Sequence, residues 1–141
     1  MEASSPARLY CTLVGAVLVI AGIIGFFYSA SFDTGSAIES EEALGLLAVN
    51  GWHNLVHLGI GVILLIGANS AAREFALGVG LLYLVLAVWG FLITDNGFGD
   101  ILNLVPINTE DNFLHLILGL TGVAAGAATP KATAGPAAPA T

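Results

Sequence analysis

From Leu9 to Tyr28 the chain reads LYCTLVGAVLVIAGIIGFFY, twenty residues without a charge. At a rise of ~1.5 Å per residue, a helix of that length matches a hydrocarbon core of ~30 Å. A later stretch, Phe75 to Ile93 (FALGVGLLYLVLAVWGFLI), is equally free of charge and has the Gly-plus-large-aliphatic texture of a membrane helix. Charged residues make up only 9% of the 141-residue chain, against about a quarter in ordinary soluble domains, so most of it has lipid as its solvent. A secretory signal peptide competes for the first run, because Arg8 precedes it and Ser29-Ala30-Ser31 mimics a cleavage site. Signal cores are only ~7–15 residues long, however, which favours a retained helix.

Two more stretches, 50–68 and 108–128, start polar with Asn and His and then run apolar. Four spans are therefore expected, at about 9–28, 50–68, 75–93 and 110–128. Residues 1–7 read as an N-terminal tail, and 129–141 (TPKATAGPAAPAT) as a disordered tail of prolines and small residues. All three basic residues, Arg8, Arg73 and Lys131, fall on one side of such a topology. Asp33, Glu39, Glu41, Glu42, Asp95, Asp100, Glu110 and Asp111 lie in the two other connections. The positive-inside bias then predicts both termini in the cytoplasm. With a net charge of −7, nucleic acid is not expected as a partner. Cys11 is the sole cysteine, inside an apolar run, which excludes an intramolecular disulfide and a cysteine metal site.

Placing NGWHNLVHLGIG (Asn50 to Gly61) over NTEDNFLHLILG (Asn108 to Gly119) aligns Asn50 with Asn108, His53 with Asp111, Asn54 with Asn112 and His57 with His115. Upstream, Arg8 lies over Arg73, and Gly15, Gly25 and Phe26 over Gly80, Gly90 and Phe91. The helix pair is thus duplicated, and the difference in offset falls in the first outer connection, where length changes are cheapest. A unit with an even number of spans returns to its starting side. The expected fold is therefore an all-α, integral membrane four-helix bundle of two tandem, parallel-oriented helix pairs about a pseudo-two-fold along the membrane normal.

These segments, with AREFALGVGLLYLVLAVWG and INTEDNFLHLILGL, resemble the uncharacterised bacterial four-span membrane protein family known as domain of unknown function 4383, over roughly Arg8 to Ala128. The resemblance implies a multi-pass protein of the bacterial inner membrane and no particular activity, cofactor or partner.

Residues at i, i+3, i+4 and i+7 share one helix face, so Asn50, His53, Asn54 and His57 form one stripe, and Asn108, Asp111, Asn112 and His115 another. Asn50 and Asn108 suit N-caps, with Glu110 and Asp111 complementing the positive end of the helix dipole. His57 and His115 lie about 10 Å deeper, where an imidazole facing lipid is expensive, so they point into the bundle. The structural explanation is mutual hydrogen bonding across spans two and four, at ~0.6–2 kcal/mol per link. A pH-dependent contact between His53 and Asp111 refines it. The chemical explanation is a metal ion, with His53, His57, Asp111 and His115 as nitrogen and oxygen donors suited to zinc. Axial haem ligation by His57 and His115 has no basic residue on the outer side to meet propionates, and no other cofactor is expected.

No Ser or Thr is spaced to a His as a nucleophile to its base, which argues against an enzyme. Transport is a further alternative, but four helices make no roomy pore and no ionisable residue continues a relay into the cytoplasmic halves. The expectation by elimination is a non-enzymatic accessory or scaffold protein, with lipid, a larger membrane complex or self-association as partners. Gly122 and Gly126, or Ala21 and Gly25, could mediate packing within or between chains. Ser36 and Glu39 open a capping-box pattern for a short interfacial helix reaching about Val49, with Leu44, Leu46 and Leu47 towards the membrane.

Overall fold

The computed structural model describes residues 5–131; the outer parts of the two expected tails, 1–4 and 132–141, lie outside them. Four helices dominate: α1 (Pro6–Gly25), α2 (Gly51–Ser70), α3 (Ala72–Ile93) and α4 (Thr109–Ala127). Ser5 caps α1 by accepting from the Arg8 amide, and Pro6 at the first helical position supplies a pre-set φ, so the helix begins three residues before the expected span. Helices α1, α2 and α3 are long and apolar enough to cross a membrane, with mean hydropathies of 2.1, 1.5 and 2.4. They mark the chain as a membrane protein. Helix α4, with Glu110, Asp111 and Asn112 in its first turn, is less apolar and falls short of that composition.

The most extensive packing joins α1 to α2 and α3 to α4. Small residues let the paired backbones approach: Gly15 faces Gly61, and Gly80 faces Gly119 and Gly122. Gly122 is also covered by the Tyr10 ring, Gly126 by Leu77, and Gly25 by Asn54, so these small residues are used inside the molecule. The Tyr10 hydroxyl donates to the Leu118 carbonyl at 2.9 Å, tying α1 to α4. Cys11 is buried and free. At one end Arg8 donates to Asn69 Oδ1 and Arg73 Nε to the Thr129 carbonyl, which gathers the start of α1, the α2–α3 link and the end of α4.

The other end is where the structure departs from expectation. The interfacial helix over about 36–49 is absent; after a single 3-10 turn at Gly35–Ala37 the chain forms an antiparallel hairpin, β1 (Glu41–Ala43) with β2 (Leu47–Val49). A second hairpin, β3 (Phe98–Ile101) with β4 (Val105–Asn108), precedes α4. Both turn on two consecutive residues of positive φ, Leu44 (57°) with Gly45 (65°), and Leu102 (57°) with Asn103 (54°). That is the backbone sign pattern of a type I′ turn, whose twist suits a tight hairpin and which no right-handed helix can contain. Strands β2 and β4 pack against each other, so the two hairpins form a common lid over that end. The longer first connection folds back onto α2: the Gly51 amide donates to the Ser31 carbonyl, and Trp52 Nε1 to that of Phe32.

Candidate metal centre

All eight residues of the two stripes are buried. Their roles divide by depth. Asn50 and Asn108 cap α2 and α4, each Oδ1 accepting at 2.9 Å, from the His53 and Asp111 amides respectively. Each then spends its amide group on the other hairpin: Asn50 Nδ2 donates to the Leu104 carbonyl and Asn108 Nδ2 to the Leu46 carbonyl, both at 2.8 Å. A turn deeper, Asn54 Nδ2 donates to the Ser29 carbonyl and Asn112 Nδ2 to Thr94 Oγ1, fastening each helix to the end of the one before it. The two Asn carbonyl oxygens rest against Gly25 and Gly90, where a Cβ would overlap them. The amide groups of the four asparagines thus have structural roles: Asn50, Asn54 and Asn108 pair backbone that the bilayer would otherwise leave unpaired, and Asn112 pairs the Thr94 hydroxyl.

Asp111 closes the capping box on α4 through Oδ2, which accepts from the Asn108 amide and, across the lid, from the Ala48 amide, both at 3.0 Å. The expected His53–Asp111 contact is replaced by a shared partner: His53 Nδ1 lies 2.7 Å from the Ala48 carbonyl. A carbonyl only accepts, so Nδ1 carries a proton. The position aligned with Ala48 in the second hairpin is Pro106, which has no amide to donate. A carboxylate at 53 would lack the donor that Asp111 enjoys, which accounts for the His–Asp difference between the stripes.

One group remains without a structural account. His53, His57 and His115 bring one ring nitrogen each to within 4.8 Å of one another, and all three are buried. The His53 and His57 ring centroids are 4.4 Å apart, those of His53 and His115 6.4 Å. His115 Nδ1 is buried without a hydrogen-bond partner. Asp111, expected among the donors, is absent from this cluster because its Oδ2 is committed to two amides. Tyr83 of α3, which sequence reasoning passed over, stacks at 5.2 Å from His115, and its buried hydroxyl is also unpartnered. The three histidines and Tyr83 line a cavity of about 300 Å³ whose other walls are aliphatic side chains of α2, α3 and the second hairpin.

The family described as domain of unknown function (DUF4383) matches residues 8–128. The chain belongs to this family. No curated protein and no solved structure matches it.

Proposed function

We propose that this is a four-span, non-enzymatic accessory protein of the bacterial inner membrane that holds a divalent transition-metal ion through His53, His57 and His115. The observation that carries it is the convergence of three buried imidazoles, one with an orphaned nitrogen, beside a tyrosine hydroxyl that is likewise unpartnered. Burying unpaired nitrogen costs free energy that coordination recovers. His53 Nδ1 rests on a backbone carbonyl, as the distal nitrogen of a metal-ligating histidine commonly does. The donor set suits zinc, although the cluster is looser than the ~3.3 Å donor spacing that Zn–N bonds of ~2.0–2.1 Å imply, so the rings must close in on binding.

The four-span, duplicated, parallel arrangement is supported by the reciprocal Asn50–Leu104 and Asn108–Leu46 bonds and by the gathering of Arg8 and Arg73 at the end away from the hairpins. On that reading α4 is the fourth span, both termini are cytoplasmic and the histidines lie in the outer leaflet. The test is metal content: protein purified in mild detergent should retain or rebind one equivalent of zinc by elemental analysis. The double variant His57→Ala/His115→Ala should bind none while keeping its helical circular dichroism. Equal metal content in the two proteins would refute the site.

A further inference from the structure

Three neutral imidazoles and a divalent ion leave a charge of +2 in an apolar interior. Asp111 sits on the far side of Ala48; even if ionised it offsets only one of these charges. A buried excess charge is expensive unless paired. Three protein nitrogens also leave a fourth tetrahedral position to a ligand from outside the chain, the arrangement of zinc sites that bind exchangeable ligands. The charge favours an anion over water at that position, and the cavity that all three histidines line is its way in.

The cavity walls say what else the anion carries. Val56, Ile60, Leu82, Leu86, Leu104 and Val105 present no hydrogen-bonding side chain, so the remainder of the ligand is hydrocarbon. About 300 Å³ is at the lower end of the range for ligand pockets, which suits a chain of medium length. Tyr83 adds a directional element, because it lines the cavity with His115 and its buried hydroxyl has no partner. A carboxylate can give one oxygen to the metal and accept from the tyrosine with the other. An alcohol or an alkane satisfies neither the charge nor both polar groups.

Building on the metal centre proposed above, we propose that the cavity takes a lipophilic carboxylate whose head group is the fourth metal ligand and whose alkyl chain fills the space between α2, α3 and the second hairpin. Binding is reversible coordination with no covalent step. Metal and carboxylate are then reciprocally coupled, each raising affinity for the other by the same factor.

The full-length protein in a non-ionic detergent, stripped with a chelator, would be titrated with zinc alone and with zinc plus decanoate, decanol or acetate. Decanoate should tighten zinc binding at least tenfold; decanol should have no effect and acetate little. Leu86→Trp or the more exposed Leu82→Trp, which fill the cavity, should bind zinc as the parent does and lose the decanoate effect. Tyr83→Phe should reduce that effect without changing zinc affinity in its absence. Failure of the parent to bind zinc refutes the metal centre itself. Zinc binding that is indifferent to decanoate, equally sensitive to acetate, or still decanoate-sensitive in both Trp variants overturns the carboxylate proposal and leaves the metal centre standing. Weaker zinc binding by Tyr83→Phe without any carboxylate would make the tyrosine the fourth ligand and also overturn it.

Discussion

Each hairpin roofs a cleft against its preceding helix, and the two clefts are unequal. The one under β3–β4 encloses about 300 Å³; its counterpart under β1–β2, bordered by Ala21, Ile24, Leu44, Leu47 and His57, encloses about 80 Å³. Where the second has Tyr83, the aligned position of α1 holds Leu18, which is buried in the hydrophobic core. His57 borders both clefts, whereas His53, His115 and Tyr83 line only the larger. The order helix, hairpin, helix thus occurs twice, and a few side-chain differences make the two clefts chemically unlike.

The largest expected effect removes that one-sided chemistry. His57→Ala/His115→Ala should weaken zinc binding by at least 100-fold by competition with a chromophoric chelator, while the same pair of changes at Asn54 and Asn112 should leave metal affinity unchanged if the Asn residues are purely structural. Those Asn changes should instead appear in stability. Asn54→Ala and Asn112→Ala each unpair a buried backbone or hydroxyl acceptor, and loss of about 1–2 kcal/mol apiece is expected from denaturation in detergent. Gly25→Ala and Gly90→Ala, which push a Cβ into the same amides, should cost a similar ~1–3 kcal/mol. Equal effects at the paired positions would mean that the two halves carry the same share of the load.

A subtler comparison exchanges the halves' chemistry. Ala48→Pro takes from Asp111 one of its two amide donors and should destabilise by about 1–3 kcal/mol. Adding Asp111→His, which gives the α4 stripe the His–Pro combination found around His53, should recover part of that loss. A double-mutant cycle reads the coupling directly, and strictly additive effects would sink the explanation of the His–Asp difference given above. The smallest effect belongs to the turns. Leu44→Gly and Leu102→Gly relieve left-handed backbone at a β-carbon but add chain entropy to the unfolded state, so a net gain below about 1 kcal/mol is expected in thermal melts.

The charge-free runs made α1 and α3 legible at once, because in lipid a helix is the main way for an apolar segment to satisfy its own backbone. The helical stripes of α2 and α4 were legible too, through spacing alone. Which member of each stripe does what was hidden, since most of the partners of Asn50, Asn54, Asn108 and His53 are carbonyls of Leu104, Ser29, Leu46 and Ala48, and a carbonyl looks the same whatever its side chain. The hairpins were missed for a different reason. Ser36 and Glu39 imitate a helix start, and the local leucines suit an interfacial helix as well as a strand. The signal that distinguishes them is comparative: EEALGLLAVN and GDILNLVPIN align without a gap, with Gly45 over Asn103 at the second turn position, a pair of residues tolerant of positive φ. Tyr83 escaped notice because a tyrosine within an apolar run reads as core, and its place beside His115 depends on how α3 packs against α4.

The reciprocal bonds from Asn50 to Leu104 and from Asn108 to Leu46 bear on how the fold assembles as well as on its stability. Each cap fastens the roof of the other half, so a solitary helix pair would present an asparagine amide and a hairpin carbonyl with nothing to meet, in a solvent that offers no substitute. A helix pair with these residues needs a second such pair to associate with. The short turn at Ala71 joins the two pairs, so here the handshake is intramolecular. Two halves made as separate chains, cut at that turn, should still find each other in the membrane.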